Sequence, residues 1–325
     1  MMHARTLIWS SLALLLSASI SAAQLGGGGG GRGGRGSGFG GGGGGGFGFG
    51  GGGGGGGGRN YGGEYVAGNE PIEPLPADRN GIANWDLDKE YKSDVFTFVR
   101  LRFTTQRNGL NGYGGFARGG GGFSWKNDWA NADINLSFRL QQMTSLKVNP
   151  NPISLQIYDE KLLNYPFALM EQVGALEFTD REITALRRYL LNGGFLMVDD
   201  HWGIPQEERW AEQIHRVFPD RPQVELSLDH PLFHCVFDMK KLPQVQTLQR
   251  WRPGQTVSTR TPEDPDPHYR AIYDDKGRIM VLECANTDTP DGWEREGDNE
   301  EYFHEMSEKI AYPFAINVIF YAMTH

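Results

Sequence analysis

A three-layer α/β sandwich with a mostly parallel sheet is predicted by three observations on the carboxyl-terminal part of the chain. Strand-like and helix-like segments alternate from about residue 95 to the end. The run Thr179 to Gly203 reads as a capped helix, a glycine stop, an apolar strand and a polar end. Within it, Phe195 to Val198 is continuously apolar, as a central parallel strand covered on both faces should be.

The elements follow in order. VFTFVRLRF, from Val95 to Phe103, is a β-branched and aromatic run that predicts a strand. A glycine-rich loop over 108–122 comes next, long enough to point to function or motion. Trp125 and Trp129, four residues apart, suit packing better than stacking platforms. They lead to a helix over Ala132 to Thr144, whose apolar residues Ile134, Leu136, Phe138, Leu140 and Met143 keep helical spacing only in part. Strands are predicted at Ile153 to Tyr158 and Phe167 to Gln172.

Thr179 and Glu182 form a capping box, each side chain satisfying a backbone amide that the first helical turn leaves free. Ile183, Leu186, Leu190 and Leu191 line one face of that helix, and Gly193-Gly194 ends it in a left-handed turn. A helix over Glu207 to Phe218 and a strand over Val224 to Leu228 follow. Asp275-Lys276-Gly277 predicts a hairpin turn between Ala271–Asp274 and Arg278–Cys284. The last helix, Glu301 to Thr324, is expected to be kinked or divided at Pro313. Its apolar part is too short for a bilayer, which needs roughly 20 residues, so core packing accounts for it.

Three segments precede or make up this pattern: 1–23, 24–93 and 94–325. In the first, Arg5, an apolar stretch from Leu7 to Ile20 and the small residues Ser21-Ala22-Ala23 predict a cleaved secretory signal. Export to the periplasm or the extracellular space is therefore expected, with no membrane span after cleavage. Gln24 to Gly58 is nearly all glycine, which loses the most entropy on ordering and buries nothing, so a disordered tether is expected. A proline-punctuated linker runs to Ser93. Losing Arg5 with the leader takes the formal net charge from −9 to about −10, which argues against nucleic acid and anionic lipid as partners. Cys235 and Cys284 are the only cysteines, and either a disulfide or two buried thiols fits them.

The blocks FTFVRLRF, NDWANADINLSFRLQQMTSLKV (Asn127 to Val148), YPFALM, LRRYLLNGGFLMVDDHWG, LDHPLFHCVF and YPFAINVIFYAMTH resemble a bacterial family known as domain of unknown function 4159. The resemblance covers about 94–325 and implies a fold like that of class I glutamine amidotransferases, a flavodoxin-like arrangement. It implies no activity. Amidotransferase chemistry needs a cysteine on a tight strand-to-helix turn flanked by glycines. Cys235 in FHCVF and Cys284 in VLECANT have no such flanks. Cys284 does end a predicted strand, which leaves a thiol nucleophile with a histidine partner open.

Ligands of open α/β sheets bind outside the carboxyl ends of the strands. That places Asp199, Asp200 and His201, with Trp202 as a wall, among the candidates for acid/base or ligand-binding work. Side-chain alternation is expected to send the two aspartates to opposite faces. Asp229-His230-Pro231 and His234 form a second polar knot that also suits a turn. Asp199, His201 and His230 together would offer a metal set if they converge. Asp128 and Trp129 are candidates for the same mouth, with Asp128 alternatively a helix cap. Asn286, Asp288, Asp291 and Trp293 form an expected polar loop at that edge, of which Asn286 is the named ligand candidate. No phosphate cradle is found, because the glycine runs lack both the strand-turn-helix context and the lysine.

No cofactor is predicted; a divalent metal is the alternative. The sequence favours a non-catalytic module that binds an envelope protein, a glycan or a small polar ligand. A metal-assisted or acid/base hydrolase and a glycine-rich structural component of the envelope are the other readings.

Overall fold

Nine strands form two sheets among the residues that the computed structural model describes, 65–66, 72, 74–87, 94–106 and 125–325. The expected leader, the glycine tract and the 108–122 loop lie outside them. β1 (Tyr65–Val66) pairs antiparallel with β3 (Thr105–Gln106) in a small two-stranded sheet. The main sheet has seven strands in the order β4-β2-β5-β6-β9-β8-β7. β2 (Val99–Arg102), β4 (Ile153–Gln156), β5 (Phe167–Glu171), β6 (Phe195–His201) and β9 (Ile279–Ala285) are joined in parallel. β8 (His268–Tyr273) and β7 (Val224–Glu225) complete one edge antiparallel. The molecule is thus a mixed α/β fold around a seven-stranded, mostly parallel sheet.

The helices are α1 (Asn131–Met143), α2 (Asp180–Leu191), α3 (Ile204–Val217), α4 (Thr289–Glu294), α5 (Glu300–Tyr302) and α6 (Tyr312–Thr324). A π-helical stretch, Phe303–Ala311, joins the last two. Two apolar clusters share alternate residues of the same strands. Phe98, Phe167, Leu169, Phe195 and Met197 pack with α1 and α6 residues such as Leu136 and Phe314. Val99, Leu101, Ala168, Met170, Leu196 and Val198 pack with Leu186, Leu190, Trp210 and Ile214 of α2 and α3. Each fully buried aliphatic or aromatic side chain contributes about 1.5–3 kcal/mol, so these two clusters bind the helices to the sheet.

Local signals behave as their chemistry requires. Thr179 Oγ1 accepts from the Glu182 amide while Glu182 Oε2 accepts from the Thr179 amide, closing the capping box. Gly193 takes a φ of 104° at the end of α2, a conformation costly for any residue with a Cβ. Pro313 has no amide to donate to the preceding turn; just before it, the Tyr312 amide bonds the Ser307 carbonyl five residues back. The helix is thereby divided into α5, a π stretch and α6.

Several boundaries differ from expectation. The first strand spans only Val99–Arg102, preceded by a single bridge from Phe96 to Val148. β6 runs on through Asp199 and Asp200 to His201. α3 starts at Ile204, with Pro205 in the first turn where a missing amide costs nothing. Residues 286–294, expected as a polar loop, contain the buried helix α4, which Asp288 caps by accepting from the Asp291 amide at 3.1 Å.

Candidate functional site

Three charged residues replace apolar ones on the face of the sheet that packs against α1 and α4. Arg100 of β2 follows Phe96 and Phe98 at period two; Glu171 ends β5, and Asp199 stands near the end of β6, in the same alternation. Arg100 is fully buried, and its Nη2 lies 2.7 Å from both Asp133 of α1 and Glu171. Its Nη1 donates to the carbonyls of Asn127, at 2.7 Å, and Trp125, at 3.3 Å. One guanidinium therefore pairs with two buried acids and holds down the turn ahead of α1. Burial pushes the Asp133 carboxyl up to about 6 even though Arg100 pulls it down. It pushes Glu171 well above the usual range.

That turn carries Asp128 with a φ of 57°. Gln172, Asp200 and Asn286, at the ends of β5, β6 and β9, are also left-handed, at 52°, 51° and 56°. Such conformations are uncommon for residues other than glycine and gather at functional sites. At Asp200 the kink coincides with a register shift between Val198 and His201 against β9. The shift overturns the alternation expected of a regular strand. Asp199 accepts from Thr289 of α4 and Asp200 from Asn127 of the turn before α1, so both point toward the α1–α4 layer rather than to opposite sides of the sheet.

Asp199 is fully buried; its Oδ1 accepts from the amides of Asp200, at 2.8 Å, and Thr289, at 2.9 Å. Burial raises its carboxyl to about 7. Asp200 is 2% exposed and accepts from Trp202 Nε1 at 2.7 Å and from Asn127 Nδ2 at 3.3 Å. Arg260 reaches Asp200 at 3.4 Å while lying 4.6 Å above the Trp202 ring. Trp202 is thus buried between Asp200, which its indole bonds, and Arg260, which lies over its ring.

Asp128, Asp288 and Asp291 are grouped so that one oxygen from each lies within 4.8 Å of the others. Burial, followed by the charges of Glu294, Asp291 and Asp200, lifts the Asp128 carboxyl well above its usual range. Burial and the charges of Asp200, Asp291 and Asp128 do the same to Asp288. Asp291 is raised less, because the Leu248 amide and Arg295 offset its burial. Arg295 also pairs with Glu294 at 2.8 Å. The result is a largely buried acidic cluster: Asp128, Asp200, Asp288, Asp291 and Glu294 meet two flanking cations, Arg295 and Arg260.

The other sequence candidates fall elsewhere. His201 pairs with Glu283 at 3.0 Å, within a network of Arg270 and Gln223 toward the α3 side. His230 caps a 3-10 turn through Nδ1 and meets the Tyr273 hydroxyl at 3.3 Å. Tyr273 pairs with Ile279 at the start of β9, so His230 belongs to the opposite end of the sheet from Asp199. The proposed metal set of Asp199, His201 and His230 is therefore not brought together. His234 and Asp229 are engaged in local turn contacts with Leu228, Asp238 and Ser227.

Asn286 accepts from the Gly203 amide at 2.8 Å and donates to carbonyls of Asp264 and Asp266, so it ties loops together. Trp129 lies 6.1 Å from Trp125, an aromatic packing pair. Asp128 does not cap α1 with its side chain; Ala130 stands at that position.

Both cysteines are free. Cys235 Sγ lies 3.2 Å from the Asn317 carbonyl, while Cys284 is wholly buried. Burial and the neighbouring Asp199 carboxyl push the Cys284 thiol well above its ordinary range, the reverse of what a nucleophile requires. No helix among the described residues is long and apolar enough to cross a membrane.

Residues 115–323 match the family model described as a domain of unknown function, DUF4159. The chain belongs to this family. The match starts beyond β2, so DUF4159 as matched contains Asp128, Asp199, Asp200, Asp288 and Asp291 but not Arg100. No curated protein matches the chain.

Proposed function

We propose that this DUF4159 chain is a non-catalytic binding module on a three-layer, flavodoxin-like scaffold of the class I glutamine amidotransferase kind, exported and carried on its glycine tract. The observation that carries the reading is the acidic cluster beyond the carboxyl ends of β6 and β9, where five carboxyl groups outnumber two cations. Such a field selects a small polar ligand that is positively charged or bridged by a cation. Arg260, lying over the buried Trp202 ring and bound to Asp200, would stand beside it. The sealed Cys284 supports a scaffold without acyl-transfer chemistry.

The test uses tryptophan fluorescence of the purified full chain, titrated with amino sugars, diamines and neutral glycans. Saturable changes with the cationic members, lost in Asp200→Asn, support the reading. Unchanged spectra across the panel, or responses indifferent to Asp200→Asn, reject it.

Metal-assisted or acid/base hydrolysis is the second reading, favoured by the adjacent Asp128 and Glu294, whose carboxyls are both raised, burial being the largest cause for each. Turnover of ester, amide or glycoside substrates that disappears in Glu294→Gln would replace the first reading with this one. A structural role in the envelope rests on the glycine tract alone and predicts that deleting 24–58 abolishes assembly while the fold persists.

A further inference from the structure

We infer that Asp128, Asp288 and Asp291 form a binding site for one hard divalent cation, such as calcium, magnesium or manganese. The inference rests on the reading of the acidic cluster as the binding site and names what that cluster takes first. The three donors come from two separate parts of the chain, the turn before α1 and the helix α4, and offer oxygens within 4.8 Å of one another. Oxygens on opposite sides of a bound calcium stand about 4.6–5.2 Å apart, twice its bond length, and closer around magnesium. The group therefore has the span of a single ion.

A second observation points the same way. The Asp128 Oδ2 atom is sealed from solvent with no amide, hydroxyl or cationic donor bonded to it among the described residues; its company is Asp288, Asp291 and a further carboxyl, Glu294. Buried polar atoms are nearly always satisfied, so an orphan of this kind calls for a missing partner. The cations nearby are committed elsewhere: Arg100 to Asp133 and Glu171, Arg260 to Asp200, and Arg295 to Glu294 and one oxygen of Asp291. The donor set is all carboxylate, with neither imidazole nor thiolate, which selects hard ions over zinc or copper. The turn is held in place from below, because Arg100 grips the carbonyls on either side of Lys126.

The test is calorimetric titration of the full chain, freed of metal by chelator and dialysis, with calcium and with manganese. One equivalent per chain is expected. Asp128→Asn and Asp288→Asn should weaken binding by about ten- to hundredfold, a loss that even the outer partners of metal sites produce. Both variants are chosen to fold: asparagine tolerates the left-handed conformation at 128 and caps a helix as well as aspartate at 288. Asp275→Asn, at an exposed hairpin acid, should leave binding unchanged. Absence of saturable binding at millimolar ion, or equal affinity in Asp128→Asn and wild type, overturns the site. The two proposals fail separately. Cationic organic ligands that bind the chelator-treated chain would keep the module and remove the ion; ion binding with no organic ligand would do the opposite.

Discussion

Replacing Arg100 with methionine removes a buried guanidinium while keeping most of its volume. Arg100, Asp133 and Glu171 are each 0% exposed, so the substitution leaves two acids inside the protein without a counter-charge. Breaking a buried pair in this way costs about 3–5 kcal/mol. For a domain of this size each kcal/mol lowers the melting midpoint by about 2–4 °C, so a fall of roughly 6–20 °C is expected. The loss must also depend on pH, and its sign follows from the carboxyls. Asp133 already titrates at about 6 in the folded chain because burial outweighs Arg100, and without Arg100 it rises further. A carboxyl whose folded value lies above its unfolded value favours folding only while protonated. Its contribution falls as pH climbs from the unfolded value to the folded one. Urea denaturation of the full chain at about pH 5 and about pH 8 should show the variant closer to wild type at the lower pH. The companion Arg100→Met/Asp133→Leu/Glu171→Met should recover much of the stability, since apolar replacement of a buried ionic cluster is often neutral. A loss below about 1 kcal/mol, or one equal at both pH values, would refute the account of Arg100 as the sole counter-charge of the pair.

Four other outcomes follow from the same structure. Thr179→Ala should cost about 1 kcal/mol in urea denaturation, the value of one cap. Glu182→Ala should cost more, by about 1–3 kcal/mol, because Glu182 also accepts from the buried Thr104 amide. His268 is raised despite burial, because the hydrogen bonds it donates to Asp264 and Glu225 and the charges of Asp264 and Glu207 outweigh it. Its contribution to stability is full below the unfolded value near 6.5 and lost as pH rises through the higher folded value, so His268→Gln should flatten the melting midpoint between about pH 6 and 8. Finally, Cys284 should resist iodoacetamide in the native chain and react only after unfolding, as mass spectrometry of labelled peptides would show.

The features that local chemistry dictates were legible from residues alone. The Thr179–Glu182 box, the Gly193 stop and the apolar run at Phe195 all act within a turn or two of themselves. Helix α4 was not legible: it is six residues long, opens with Thr289-Pro290 and contains Gly292, so its propensity is poor. It exists because Asp288 caps it and because Trp293 and its neighbours are buried against α1 and the π stretch.

The site was legible in place but not in membership. Strand-end logic pointed to positions 199 and 200, yet alternation wrongly divided them, since a left-handed Asp200 and a register shift are tertiary compromises with β9. Histidines drew attention by residue type, but His201 faces a different network and His230 the far end of the sheet. The informative signal lay in residues that looked misplaced. Arg100 interrupts an aromatic strand, and Glu171 ends an apolar one at the matching face. An ionisable group costs too much to bury unless another answers it. Two such groups on neighbouring strands therefore imply a shared partner layer above them, and Asp133, with the turn that carries Asp128, is what that layer contains.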